Sequence, residues 1–69
     1  MMTIEQKYET YNKIEEIFST MCEEMQMPWW EVFEEHETEV KTRLVEELGK
    51  GILETEAFKQ WFTETADEL

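Results

Sequence analysis

His36 is the single imidazole of the chain, and it stands among carboxylates, with Glu35 and Glu37 beside it and Glu39 three residues on. A histidine grouped with acids is what general-base chemistry or a metal ion would require. Here the set stops short. His36-x-x-Glu39 supplies two ligands, the Glu-x-x-His order of carboxylate-bridged metal bundles is missing, and no second histidine exists. The expectation is a boundary histidine at the edge of a helical core, with no metal, no cofactor and no catalytic role.

The remaining nucleophiles read the same way. Cys22 lies between Met21 and Met25 in an apolar helical stretch with no neighbouring base, which predicts a buried, inert thiol. Ser19 sits mid-helix, and two glycines are too few for a phosphate-cradling loop. The chain is therefore expected not to be an enzyme.

What the sequence offers instead is acid and aromatic surface. Eighteen Asp and Glu against six Lys and Arg give a net charge of -12, beyond the magnitude of about 2 to 8 usual for a small domain. The acid is spread along the chain. Glu15, Glu16, Glu23 and Glu24 form one cluster, Glu31, Glu34, Glu35 and Glu39 a second, and Glu64, Asp67 and Glu68 a third. Carboxylates at i and i+4 on a helix are about 6 Å apart along its axis, so a row such as Glu31, Glu35 and Glu39 imitates the charge spacing of a phosphate backbone. Such rows repel themselves and lower helix stability. The competing reading is a solvated acidic face that keeps a small protein soluble.

Trp29 and Trp30 are about 100° apart on a helix, so both cannot point into one core. Trp29 is assigned inward with Phe33, and Trp30 to the margin of the acidic row, where an exposed aromatic is a natural interface anchor.

These residues need elements to hold them. Thr3 and Gln6 have the spacing of a capping box, and Ile4, Tyr8, Tyr11, Ile14, Phe18, Met21 and Met25 then recur every three or four residues as one helix face, widened by Ile17 and Cys22. Pro28 ends that helix by disfavouring helical geometry at Met27, and suits the first turn of the next. Trp29, Phe33, His36, Val40, Leu44 and Leu48 continue as a second stripe, flanked by Trp30 and Val45, with Glu37–Lys41 and Glu39–Arg43 as favourable i,i+4 pairs. Gly49 is expected to close this helix in a left-handed conformation. Thr55 caps a third helix carrying Ala57, Phe58, Trp61, Phe62, Ala66 and Leu69.

The predicted fold is all-α: a small antiparallel three-helix bundle with helices over residues 3–26, 28–48 and 54–68, a single acidic domain over 1–69. At 69 residues such a chain buries only about 60% of its unfolded surface, so its nine aromatics must supply much of the core. Self-association, as a homodimer, would complete it.

The charge argues against direct contact with nucleic acid or an anionic membrane. A lone cysteine, no basic-then-apolar leader and no long apolar run point to a cytoplasmic protein. The leading functional expectation is a non-enzymatic inhibitor or modulator, a DNA or RNA mimic. It would occupy the basic site of a partner, a nucleic-acid enzyme, through Trp30, Glu31, Glu34, Glu35, Glu39, Glu15, Glu16, Glu23 and Glu24. In size and charge the chain is similar to the small acidic inhibitors that bacteriophages and mobile elements make against host enzymes, a viral-protein analogy of composition alone. The alternative is a structural or assembly protein that pairs with itself or with a partner helix through the first-helix stripe, at Ile14, Ile17, Phe18 and Met21.

Overall fold

A computed structural model describes residues 3–69. Its regular structure is helical throughout: α1 (Ile4–Met25), α2 (Trp29–Glu35), α3 (Glu37–Leu48), a 3-10 turn (Ile52–Glu54) and α4 (Glu56–Asp67).

The capping box forms as its spacing requires. The Gln6 N–H donates to Thr3 Oγ1 at 3.2 Å and the Thr3 N–H to Gln6 Oε1 at 3.0 Å, so two of the orphan amides at the start of α1 are satisfied reciprocally. The helix then runs 22 residues, about 33 Å at 1.5 Å per residue. Its end is a Schellman closure. Gln26 adopts φ 55° and ψ 42°, its N–H reaches the Glu23 carbonyl at 3.2 Å, and the Met27 N–H reaches the Cys22 carbonyl at 3.1 Å. Pro28 follows directly and caps α2 from outside the helix rather than occupying its first turn.

A left-handed conformation costs a residue with a Cβ roughly 1–2 kcal/mol, and Gln26 is exposed. Gln26→Gly is therefore expected to stabilise the fold by about 1 kcal/mol, read as a higher urea midpoint at unchanged slope. An unchanged midpoint would mean that the Gln26 side chain compensates its own backbone.

The second predicted helix is two helices. His36, at φ -120° and ψ 29°, ends α2 and starts α3. Its N–H still bonds the Val32 carbonyl and its carbonyl still accepts from Val40, each at 3.0 Å, so the chain bends without losing either bond. Electrostatics favour the bend. A continuous helix would hold Glu34 against Glu37 at i,i+3 and Glu35 against Glu39 at i,i+4, both repelling pairs. The break instead places Glu37 and Glu39 in the first turn of α3, at the positive end of a fresh helix dipole.

The expected Glu37–Lys41 pair forms at 3.1 Å. Glu39 does not pair with Arg43: it turns back to His36 Nδ1 at 3.1 Å, and Arg43 reaches Glu24 on α1 at 3.1 Å and Glu47 at 3.8 Å. Gly49 does close α3 with a positive φ, but at φ 102° and ψ 163°. This is an extended mirror-image conformation open essentially to glycine alone, not the left-handed helical one. The 3-10 turn then folds Ile52 into the core, and Thr55 caps α4 by accepting from the Phe58 N–H at 3.2 Å.

The core gathers Ile14, Phe18 and Met21 from α1, Val32 and Phe33 from α2, Val40 and Leu44 from α3, Ile52, and Ala57, Phe58 and Trp61 from α4. Trp61 stands at its centre, with ring centroids 5.3 Å from Phe18, 6.0 Å from Phe33 and 5.9 Å from Phe58. Val32, outside the predicted stripe, is fully buried. Ile4 and Tyr8, inside it, are 74% and 60% exposed. Both lie in the first two turns of α1, which place no buried residue in the core; the first buried residue of this helix is Ile14. Leu69 is likewise exposed, just past the end of α4.

Candidate functional site

Among the described residues no polar or charged side chain is buried. The acids are accordingly surface groups, and what distinguishes them is what they stand beside. Glu15, Glu16 and Glu23 are exposed on α1, and Glu24, also exposed, spends its charge on Arg43. On α2, Glu31 is half-buried while Glu34 and Glu35 face solvent; Glu39, on α3, is held by His36. The bend at His36 thus divides the expected Glu31–Glu35–Glu39 row between two helices.

Trp30 is the exposed tryptophan, at 53%, and Trp29 is half-buried against the core. Their rings meet edge to face, with centroids 6.0 Å apart and planes at 84°. Around them the fold assembles what no local sequence window contains. Trp29, Trp30 and Glu34 from α2 join Glu68 and Leu69 from the end of α4 to line a surface cleft of about 350 Å³. A second cleft shares Trp29 and Glu68 and extends past Trp61 and Thr65 to Glu15 and Ser19 of α1. Trp30, Glu34 and Glu15 therefore belong to one aromatic-floored, acid-rimmed edge, from which Glu23, Glu24 and Glu39 are absent. Glu68 is the neighbour that the sequence reading missed at this edge. Its place in the third acidic cluster was visible, but its approach to Trp30 depends on how α4 ends against α2.

Comparison with protein-family models, curated proteins and solved structures finds no match. The chain's own chemistry carries the functional reading.

His36 has Glu39 as its carboxylate partner, and no three His, Cys, Asp or Glu side chains gather as metal ligands among the described residues. Cys22 is half-buried, and burial pushes its thiol above its ordinary range, so it stays protonated at neutral pH. No described helix is long and apolar enough to cross a membrane.

One carboxylate is structural. The Tyr11 hydroxyl donates to Glu64, tying α1 to α4, and Gln60 Nε2 donates to the same carboxylate at 3.1 Å. The bond to Glu64 raises the Tyr11 phenol well above its usual range, and the Tyr11 bond, then that of Gln60, lowers Glu64. A lowered carboxylate contributes stability above its unfolded pKa, about 4.3, that is lost as pH falls through the folded value; a raised phenol contributes below about 10 and loses it as pH rises. Tyr11→Phe is thus expected to lower the melting temperature most between about pH 5 and 9, with the deficit closing on both sides. A deficit independent of pH would assign the loss to packing instead.

Proposed function

We propose that this chain is a non-enzymatic inhibitor or modulator, a single antiparallel helical domain that places an acidic surface in the basic, nucleic-acid-binding site of a partner protein. The partner is a nucleic-acid enzyme, such as a nuclease or a polymerase subunit. The observation that carries the reading is the coincidence of charge and anchor: the one exposed tryptophan of a protein with net charge -12 lies beside Glu34 and Glu68. Long-range attraction between the acids and a Lys/Arg groove would speed encounter, and burial of Trp30 would then slow escape.

A second reading, self-association through α1, is supported by the exposure of Ile4 and Tyr8. Ile14, Phe18 and Met21 are occupied by the chain's own core, so α1 pairing would have to start from its first two turns. The two separate by salt. Affinity capture from an extract of the producing cell, loaded at low ionic strength and eluted with a salt gradient, is expected to release a nucleic-acid enzyme at moderate salt, and duplex DNA or RNA should compete for it. Retention through about 1 M salt, where the screening length is about 3 Å, without such competition would favour apolar pairing and discard mimicry.

A further inference from the structure

The cleft formed by Trp29, Trp30, Glu34, Glu68 and Leu69 has a lining that suits one kind of group. It offers aromatic surface from an exposed indole, carboxylates from two different helical segments and no basic side chain. Elsewhere a few acids have partners on the chain itself: Glu37 with Lys41, Glu24 and Glu47 with Arg43, and Glu39 beside the His36 ring. Glu34 and Glu68 take part in none of the ion pairs among the described residues. The molecule also shows the type of contact such a site would make, since Lys41 Nζ lies 5.2 Å from the centre of the Phe62 ring.

We propose that this cleft receives the guanidinium of an arginine on the partner protein. The plane of the guanidinium would stack on Trp30, and its fork of N–H groups would donate to the Glu34 carboxylate, with Glu68 closing the other side. A planar, weakly hydrated cation satisfies an aromatic surface and a carboxylate together, which the compact, strongly hydrated ammonium of lysine does less well. The complementarity is specific in sign and shape: an anionic segment is repelled, and a purely apolar one leaves both carboxylates unpaired. The proposal deepens the reading of the acidic surface by naming the group that its exposed tryptophan recognises.

The test uses the full chain and a glycine-flanked diarginine peptide, with citrulline and lysine counterparts, at low ionic strength. Binding is followed through the indole N–H resonances of Trp29, Trp30 and Trp61; buried Trp61 serves as the internal reference. The arginine peptide is expected to move the Trp30 and Trp29 signals and not that of Trp61. The citrulline peptide should have no effect, and the lysine peptide should bind more weakly. Trp30→Leu and Glu34→Gln, both at exposed positions, should each weaken the arginine peptide about two- to fivefold with the fold intact. Binding of citrulline as tight as arginine, or of lysine as tight as arginine, would overturn the assignment. So would arginine binding that shifts the α1 acids and leaves the indoles unmoved, a result under which the broader acidic-surface reading survives. Should affinity capture instead yield no nucleic-acid enzyme while the peptide still moves Trp30, the cleft stands and the mimicry reading falls.

Discussion

Trp61→Ala is expected to remove about a third or more of the protein's stability. Its ring contacts Phe18, Phe33 and Phe58 at the point where three of the four helices converge, and it is 2% exposed. Truncating a buried Trp or Phe to alanine costs about 3–5 kcal/mol. A chain of 69 residues, at about 0.05–0.15 kcal/mol per residue, has roughly 3–10 kcal/mol to lose. Each kcal/mol moves the melting temperature of a domain this size by about 4–8 °C, so a drop of at least about 12 °C in the circular-dichroism melt is expected, or loss of a cooperative transition altogether. Trp30→Leu should leave the melt within about 0.5 kcal/mol of the parent, as an exposed substitution does. A Trp61→Ala melt less than about 5 °C below the parent would show that the neighbouring phenylalanines refill the space and that the aromatic cluster is not what holds the helices together.

The second large effect separates binding from folding. Replacing Glu15, Glu34, Glu35 and Glu68 together with glutamine removes four exposed charges, three of them beside the tryptophan edge. On the proposed mechanism the association rate with the captured partner should fall about tenfold or more at low ionic strength, since steering of this kind raises on-rates by about 10- to 1,000-fold. The same variant should fold at least as well as the parent, because the Glu31–Glu35 repulsion on α2 is relieved, by about 0.2–0.5 kcal/mol. Opposite signs in the two measurements are the signature of acids retained for a partner. An association rate unchanged by the four substitutions would make the acid a solubilising coat and leave the tryptophan edge without its electrostatic role.

The features legible in the sequence were those set by local chemistry. Thr3 with Gln6 and Thr55 cap the helices expected of them because a cap depends on two residues three apart. That Trp29 and Trp30 cannot both point inward follows from helical geometry, whereas which ring stays outside, Trp30, is settled by how α2 packs. The bend at His36 was hidden for an equally local reason: Phe33, Val40 and Leu44 keep a spacing that a continuous helix also satisfies, so periodicity could not register a change of dihedral at a single residue. Gln26 carries no sequence mark of a left-handed residue, a position that usually advertises itself as glycine. Val32, Ile4 and Tyr8 were misplaced because their burial depends on which helices face them. For the candidate site, Trp30 and Glu34 could be nominated from one turn of helix, whereas Glu68 and Leu69 join them only after the chain has folded back across more than thirty residues.

The exposed start of α1 has a consequence of its own. Amide protons around Ile14, Phe18 and Met21 lie on the stretch of helix that every other helix packs against, and their exchange with solvent deuterium requires global opening. Those of the first two turns, where Ile4 and Tyr8 are left in solvent, need only local fraying, held back by the Thr3–Gln6 cap. One helix thus carries two exchange clocks. A binding event that slows the fast one would report contact at the start of α1, whose first two turns line neither cleft of the tryptophan edge.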